Sequence, residues 1–244
     1  MKKVHNKNVV YAMIPARHGS IRLQMKNLAL INGQPMISYA IKAAKESSVF
    51  DKVIVNSEHE IFERIADRYS VEFYKRPDHL GSSKATSDAV AVDFMHKYKE
   101  ADIVVWVNPT SPLQTADEVH DVVEYFINED LDSLITVENK QVHALFDGVP
   151  VNYNIHEKFA QTQDLKPVQT FVYSIMMWRT STFLDEYQKD GHALFCGKFG
   201  TYVVNKMTGL IIKTKEDLII IDGILKNREL FSSEIEYDQL VYDK

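Results

Sequence analysis

Short apolar runs alternate with amphipathic stretches along the first half of this 244-residue chain. The run Ile103–Val107 shows no polar alternation, which is typical of a parallel strand covered on both faces. Apolar residues at helical spacing, such as Ile37, Ala40, Ile41 and Ala44, indicate one buried face of a helix. By these criteria the pattern predicts strands over residues 9–14, 53–56, 71–74, 103–107 and 133–137. It predicts helices over residues 36–47, 61–69, 87–99 and 116–128, with Thr115 capping the last one.

Strands that alternate with helices in this order predict a doubly wound α/β fold, in which a mostly parallel, Rossmann-like sheet carries helices on both faces. We expect one domain over residues 1–244. Ligands of such sheets bind beyond the carboxyl ends of the strands. The loops after Ile14, Asn56 and Val107 leave the predicted sheet at that edge, so they are expected to meet in one crevice.

The alternating pattern breaks down over about residues 138–173, where glycine, proline and polar side chains interrupt it. We expect an inserted, loop-rich arm there that is too polar and too interrupted to form a core by itself. Such an arm is predicted to pack against a second subunit in a two-fold dimer. After the arm, residues 171–178 have strand-like composition, residues 210–212 are expected to form a strand, and residues 217–226 a helix.

Composition and charge narrow the functional class. Hydrophobic residues make up 45% of the chain and charged residues 25%, which is ordinary for a globular enzyme. The net charge of −6 argues against a general nucleic-acid-binding protein, which needs a basic surface. No apolar run approaches the roughly 18 residues that span a membrane, and the single Cys196 fits a reducing cytoplasm. We therefore expect a cytoplasmic protein that binds neither nucleic acid nor membranes.

The segment after the first predicted strand has the composition of a polyanion site. Gly19 and Ser20 form a small-residue turn, and the cations Arg17, Arg22 and Lys26 lie within ten residues of one another. Small residues let backbone N–H groups approach phosphates, while Arg and Lys neutralise their charge. The spacing is that of neither a P-loop nor a dinucleotide fingerprint. On these residues alone, a nucleoside triphosphate site and a surface turn with scattered charges both remain open.

Five stretches, in order along the chain, resemble one enzyme family. Residues 16–27 read Ala-Arg-His-Gly-Ser-Ile-Arg-Leu-Gln-Met-Lys-Asn, and matching motifs follow at residues 53–58, 76–80, 85–87 and 108–113. Together they resemble the acylneuraminate cytidylyltransferases, the CMP-sialic acid synthetases, over roughly residues 8–138. The pattern Ser20-x-Arg22-Leu23-x-x-Lys26 is also similar to the loop of the 3-deoxy-manno-octulosonate cytidylyltransferases.

The resemblance implies an enzyme that transfers CMP from CTP to a keto-deoxy acid sugar, with release of pyrophosphate, for surface glycan synthesis. It implies that Arg17 and Lys26 hold the triphosphate and stabilise the departing pyrophosphate. The positions that match nucleotide-binding residues are Ala16, Gly19, Ser20, Arg22, Asn27, Arg76, Ala85 and Ser87. The positions expected to contact the acceptor sugar are Asn108, Thr110, Ser111 and His143. The resemblance also implies a homodimer whose arm lends residues to the sugar site of the partner.

One departure from the family pattern affects the metal. In the family, two aspartates near the carboxyl terminus hold the Mg²⁺ that bridges the phosphates, and Ile211 and Lys213 stand in their places here. An apolar group cannot bind Mg²⁺, and a cation repels it. Either Lys213 replaces part of the metal's charge and joins the catalytic residues, or another carboxylate, such as Asp217, Asp222 or Glu58, binds the metal. A third interpretation is a homologue that binds nucleotide with weak or no turnover, and a fourth is a different nucleotide or acceptor.

Overall fold

A seven-stranded sheet forms the centre of the computed structural model, which describes residues 8–20, 23–227 and 234–241. The strands are Val10–Pro15 (β1), Leu30–Ile31 (β2), Gln34–Pro35 (β3), Lys52–Ser57 (β4), Glu72–Lys75 (β5), Ile103–Val107 (β6), Ser133–Lys140 (β7), Leu145–Phe146 (β8), Val149–Pro150 (β9), Val168–Arg179 (β10) and Phe199–Val203 (β11). The order across the sheet is β11-β7-β10-β6-β1-β4-β5. Strand β10 pairs antiparallel with β6 and β7, and the other neighbours in this sheet pair in parallel.

The helices cover both faces of this sheet. They are Ile37–Glu46 (α1), Ile61–Tyr69 (α2), Ser87–Lys97 (α3), Ala116–Asn128 (α4), Thr180–Asp190 (α5) and Lys215–Lys226 (α6). The side chains of Thr86, Thr115 and Thr214 cap α3, α4 and α6 by accepting a hydrogen bond from a backbone N–H in the first turn. No helix among the described residues is long and apolar enough to cross a membrane.

Alternate residues of β1 enter cores on opposite faces of the sheet. Ala12 and Ile14 belong to the core that includes α1, α2 and α4, whereas Tyr11 and Met13 belong to the core that includes α3 and α5. A separate small cluster of buried residues, which includes Ile212, joins α6 to the short β2–β3 pair. Burial on both faces confirms the doubly wound, mostly parallel α/β prediction and explains why the strand sequences are so apolar.

The five strands and four helices predicted for the first half of the chain are confirmed, each end lying within three residues of its expected position. The predicted strand over residues 210–212 is wrong. The Ile212 N–H donates to the Thr110 carbonyl at 2.9 Å instead of joining a ladder, and the Ile212 side chain packs into the α6 cluster. The pattern did not predict helix α5 or strand β11.

The predicted arm over residues 138–173 is partly built into the sheet. Its ends belong to β7 and β10, and a two-stranded pair, β8 with β9, lies between them. The pairing of β10 with β7 shifts register between Phe171 and Met176, where Tyr173 has a left-handed φ of 58°. Large apolar side chains are exposed along this arm, namely Val142, Leu145, Phe146, Val149, Val151, Ile155 and Phe159. Packing of the arm on a second subunit stays a prediction.

Candidate functional site

A cleft of about 490 Å³ opens where the parallel strands β1, β5 and β6 end. The loop after β1 supplies Arg17, and the residues directly after β5 and β6 supply Arg76 and Asn108. The amino-terminal end of α3 supplies Ser87. As expected for a parallel sheet, the carboxyl ends of neighbouring strands bring residues distant in sequence into one crevice.

Three cations from two segments of the chain line this cleft. Arg17 lies after β1, Lys26 at the end of the same loop, and Lys213 just before α6. The Lys26 Nζ donates to the Ile212 carbonyl oxygen at 3.1 Å, which ties the loop to the segment that carries Lys213. The Asn27 side chain donates to the Arg17 carbonyl oxygen at 3.3 Å and holds the two ends of the loop together. The arrangement suits a ligand with several negative charges.

Arg76 is almost fully buried beside the cleft. Its backbone N–H donates to the Ser57 carbonyl at 3.0 Å, and its guanidinium NH2 donates to Glu58 Oε2 at 2.8 Å. Burial lowers the pKa of the Arg76 guanidinium, while the Glu58 carboxylate opposes that shift. A buried guanidinium with one ion-pair partner retains N–H groups for a ligand.

Asn108 is held rigidly at another wall of the cleft. Its backbone N–H donates to the Ser174 carbonyl at 2.9 Å, and its side-chain amide donates to the Tyr173 carbonyl at 3.1 Å. Its side-chain oxygen accepts from the backbone N–H and the hydroxyl of Thr110, at 3.1 and 2.9 Å. Strand β10 therefore fixes the position of both Asn108 and Thr110.

Most of the predicted site residues line the cleft. These are Arg17, Ser20, Lys26, Asn27, Arg76, Ala85, Ser87, Asn108, Thr110 and Lys213. Ala16, Gly19 and Ser111 adjoin these residues in sequence without lining the cleft; Ala16 is buried and donates its N–H to the Asn56 carbonyl at 2.9 Å. Arg22 lies outside the described residues.

His143 does not line the cleft of its own subunit. Its ring stacks on the Phe159 ring with the two centroids 4.1 Å apart, and it meets the Tyr153 ring edge-on. All of these aromatic residues belong to the arm. A role for His143 in sugar binding therefore depends on a second subunit and stays a prediction.

The cleft also contains residues that the sequence did not single out, among them Ser82, Ser83 and Trp106. Trp106 lies within the unalternated strand β6 and looks like a core residue, yet its side chain reaches the cleft. Its buried indole N–H has no hydrogen-bond partner in the described part of the chain. Ser82 and Ser83 lie just before the motif at residues 85–87. Their hydroxyl groups beside that motif were the sequence signal that could have predicted them as cleft residues.

The carboxylates proposed as metal ligands are engaged elsewhere. Asp217 accepts from the backbone N–H groups of Lys213 and Thr214, both at 2.8 Å, and Asp222 pairs with Lys226 at 2.6 Å. Within residues 8–20, 23–227 and 234–241, no carboxylate lines the cleft, and no group of three or more His, Cys, Asp or Glu residues is placed to hold a metal. The described side chains therefore do not fit the two-carboxylate Mg²⁺ site that the resemblance implies.

Comparisons with known proteins agree with this geometry. A family model described as "Cytidylyltransferase" matches residues 11–190. An N-acylneuraminate cytidylyltransferase of Streptococcus agalactiae is 28% identical over 221 residues, which cover 87% of this chain and 52% of that protein. This chain thus spans about half the length of the streptococcal relative.

Two further comparisons extend over nearly the whole chain. A post-translational flagellin modification protein B of Campylobacter coli is 25% identical over 232 residues, which cover 91% of this chain and 97% of that protein. The solved structure of CMP:2-keto-3-deoxy-manno-octonic acid synthetase complexed with CTP superposes with a TM-score of 0.71 at 17% identity, covering 91% of this chain and 100% of that one. The structural likeness shows a shared fold.

Proposed function

Because this chain belongs to the cytidylyltransferase family, we propose that it transfers CMP from CTP to a keto-deoxy acid sugar and releases pyrophosphate. The observation that carries the proposal is the convergence of Arg17, Lys26 and Lys213 on a cleft that also contains the buried Arg76. The cations suit the triphosphate, and the polar side chains around Arg76 suit the nucleoside.

The transfer is an in-line substitution at the α-phosphorus of CTP. A hydroxyl oxygen of the acceptor forms a bond to this phosphorus, and the bond to the oxygen that bridges to the β-phosphate breaks. Pyrophosphate leaves with that electron pair, and the hydroxyl proton passes to water. Among the described residues that line the cleft, none carries a carboxylate or an imidazole. The chain therefore contributes positioning and stabilisation of the charge on the leaving group.

Lys213 supplies part of the charge that a metal supplies elsewhere in the family. Lys213 lines the cleft next in sequence to Ile212, whose carbonyl oxygen accepts a hydrogen bond from Lys26. A cation beside the β- and γ-phosphates offsets the negative charge that develops on pyrophosphate. Mg²⁺ as a cofactor stays a prediction, and because Lys213 carries part of the charge we expect turnover to depend on it only weakly.

The acceptor is proposed to bind between Asn108, Thr110 and the arm of a second subunit. Strand β10 holds Asn108 and also continues into the arm. In the single chain the arm exposes large apolar side chains, such as Phe146, which is 79% exposed, and Phe159, which is 74% exposed. The names of the streptococcal and Campylobacter relatives, which refer to an N-acylneuraminate and to flagellin modification, support an acid sugar destined for a surface glycan.

A pyrophosphate-release assay tests this proposal. CTP, ATP, GTP and UTP are each incubated with a panel of sialic-acid-like and 3-deoxy-manno-octulosonate-like sugars, with Mg²⁺ and with a chelator. We expect release from CTP with at least one acid sugar and little from the other nucleotides. Turnover of another nucleotide alone would reassign the substrate within the same reaction class.

A second candidate is a homologue that binds CTP without turning it over. The observation that favours it is the lack of a carboxylate among the described cleft residues. Calorimetric binding of CTP without pyrophosphate release from any acceptor would support this candidate. The double change Ile211→Asp with Lys213→Asp should then restore turnover. Absence of CTP binding would refute both candidates.

A further inference from the structure

Glu58 joins two of the loops that form the cleft without lining the cleft itself. It follows β4, and its side chain is 14% exposed. Its Oε1 accepts the backbone N–H of His18 at 2.7 Å, and its Oε2 accepts the Arg76 guanidinium at 2.8 Å. His18 follows Arg17 in the loop after β1, here called the phosphate loop, whereas Arg76 directly follows β5. One carboxylate thus connects the segments after β1 and β5.

Arg76 depends on this carboxylate for its orientation. In the described part of the chain, the bond to Glu58 is the one side-chain hydrogen bond of Arg76, and its buried Nε has no partner. Removing one member of a buried charge pair leaves the other uncompensated, which is more damaging than losing an exposed pair. A change at Glu58 is therefore transmitted to a guanidinium that lines the cleft.

Gly81 makes room for the Glu58 side chain. A Cβ atom at residue 81 would lie 2.3 Å from Glu58 Cδ and 2.4 Å from Cγ, so any larger residue must displace the carboxylate. The φ angle of Gly81 is not in the left-handed region, which means that the space, and not the backbone conformation, requires glycine. Gly81 also ends the turn that leads to Ser82 and Ser83 in the cleft.

We propose that Glu58 is a positioning residue for the nucleotide, which sets Arg76 and the phosphate loop in the geometry that binds CTP, with Gly81 as its matched neighbour. This inference rests on the proposed function for the identity of the ligand. Glu58 does not line the cleft, and both of its carboxylate oxygens already accept hydrogen bonds from His18 and Arg76. It therefore acts on the nucleotide through these two residues.

The variant Glu58→Gln tests the charge with little change of size. It retains an oxygen acceptor for the His18 N–H and loses the charge that faces Arg76. We expect the CTP dissociation constant and the KM for CTP to rise at least about tenfold, equivalent to about 1.4 kcal/mol, while the KM for the acceptor changes less than about twofold. The matched control is Glu60→Gln, an exposed glutamate in the same loop, which should bind CTP like the parent.

A merely structural role for Glu58 predicts a different result. The variant would then have a lower Tm and a smaller folded fraction, but the folded protein would bind CTP with the affinity of the parent. That outcome overturns the proposal, as does an equal rise in KM for both substrates. If the parent binds CTP without turnover, the proposed function fails, yet the dissociation constants still decide the role of Glu58. If the parent does not bind CTP, both proposals fall together.

A double-mutant cycle with Gly81 keeps the test decisive if one variant folds poorly. Gly81→Ala should weaken CTP binding about as much as Glu58→Ala, and it should add little loss when Glu58 is already alanine. Gly223→Ala in α6, where a Cβ meets open space, is the matched control and should leave CTP binding unchanged. Independent, additive effects of Gly81→Ala and Glu58→Ala would overturn the proposed pairing.

Discussion

Replacing Lys26 with methionine removes one positive charge from the cleft and keeps an unbranched apolar stem. Lys26 is half-buried, and its Nζ lies 3.1 Å from the Ile212 carbonyl oxygen. The ammonium group is thus directed toward the segment that carries Lys213. If Lys26 binds the triphosphate, the variant loses a contact to a highly charged ligand in addition to the bond with a neutral carbonyl.

The two losses differ in size. A charge-assisted hydrogen bond contributes about 1.5–3 kcal/mol, so CTP binding should weaken by about 10- to 150-fold. The bond to the carbonyl of Ile212 is replaced in part by water, and its loss should cost about 1 kcal/mol of folding stability. For a domain of this size that corresponds to a fall in Tm of about 2–4 °C. Affinity should therefore change far more than stability.

Titration calorimetry with CTP and thermal melts of the free protein measure both quantities. Lys99→Met is the matched control, because Lys99 is exposed in the turn after α3 and does not line the cleft. It makes the same change in net charge and should bind CTP like the parent. A Lys26→Met protein that melts several degrees lower, yet binds CTP within about threefold of the parent, would show that Lys26 only braces the loop.

Three further predictions concern the metal, the arm and the cap of α6. Lys213→Ala should lower kcat/KM for CTP about tenfold, and the parent should depend only weakly on Mg²⁺; loss of turnover on chelation, with little effect of Lys213→Ala, would contradict this. Light scattering at micromolar concentration should give the mass of a dimer, and Phe146→Glu on the exposed arm should shift it to a monomer; a monomeric parent would refute the shared site. Asp217→Asn should lower the Tm by about 2–4 °C at pH 7, because it removes the carboxylate that caps α6. Burial raises the pKa of Asp217, but the backbone N–H groups of Lys213 and Thr214 lower it more, so the pKa is below its ordinary value. Its contribution is therefore present above about pH 3.9 and lost as the pH falls through the folded pKa, so melts of parent and variant should converge in acid.

The parallel half of the sheet was predictable because its residues obey simple rules of burial. Strand β6 lies between β1 and β10 with cores on both faces, and its sequence is accordingly apolar at every position. The position of the cleft followed from the fold, since parallel strands deliver their following loops to one edge. The motif residues Arg17, Arg76 and Asn108 meet there, as expected.

The second half of the chain was harder to predict because tertiary contacts decide its structure. Gly200 reads as a loop residue, yet it lies inside the edge strand β11, where a Cβ would come within 2.5 Å of the Leu131 side chain. The run at residues 210–212 looks like a strand, but Ile212 is buried against α6 and bonds to Thr110. In both cases a partner remote in sequence outweighs the local pattern.

Strand β10 places the arm and the wall of the cleft on one continuous element. The carbonyl groups of Tyr173 and Ser174 hold Asn108, while the beginning of the same strand belongs to the arm. If a bound acceptor contacts Asn108 and a second subunit contacts the arm, the two binding events share this strand. Where one event changes the affinity of the other, thermodynamic linkage makes that effect reciprocal and equal in size. The rate per subunit would consequently depend on the concentration of the protein itself, so that its abundance in the cell, as well as the supply of sugar, would set the output of each molecule.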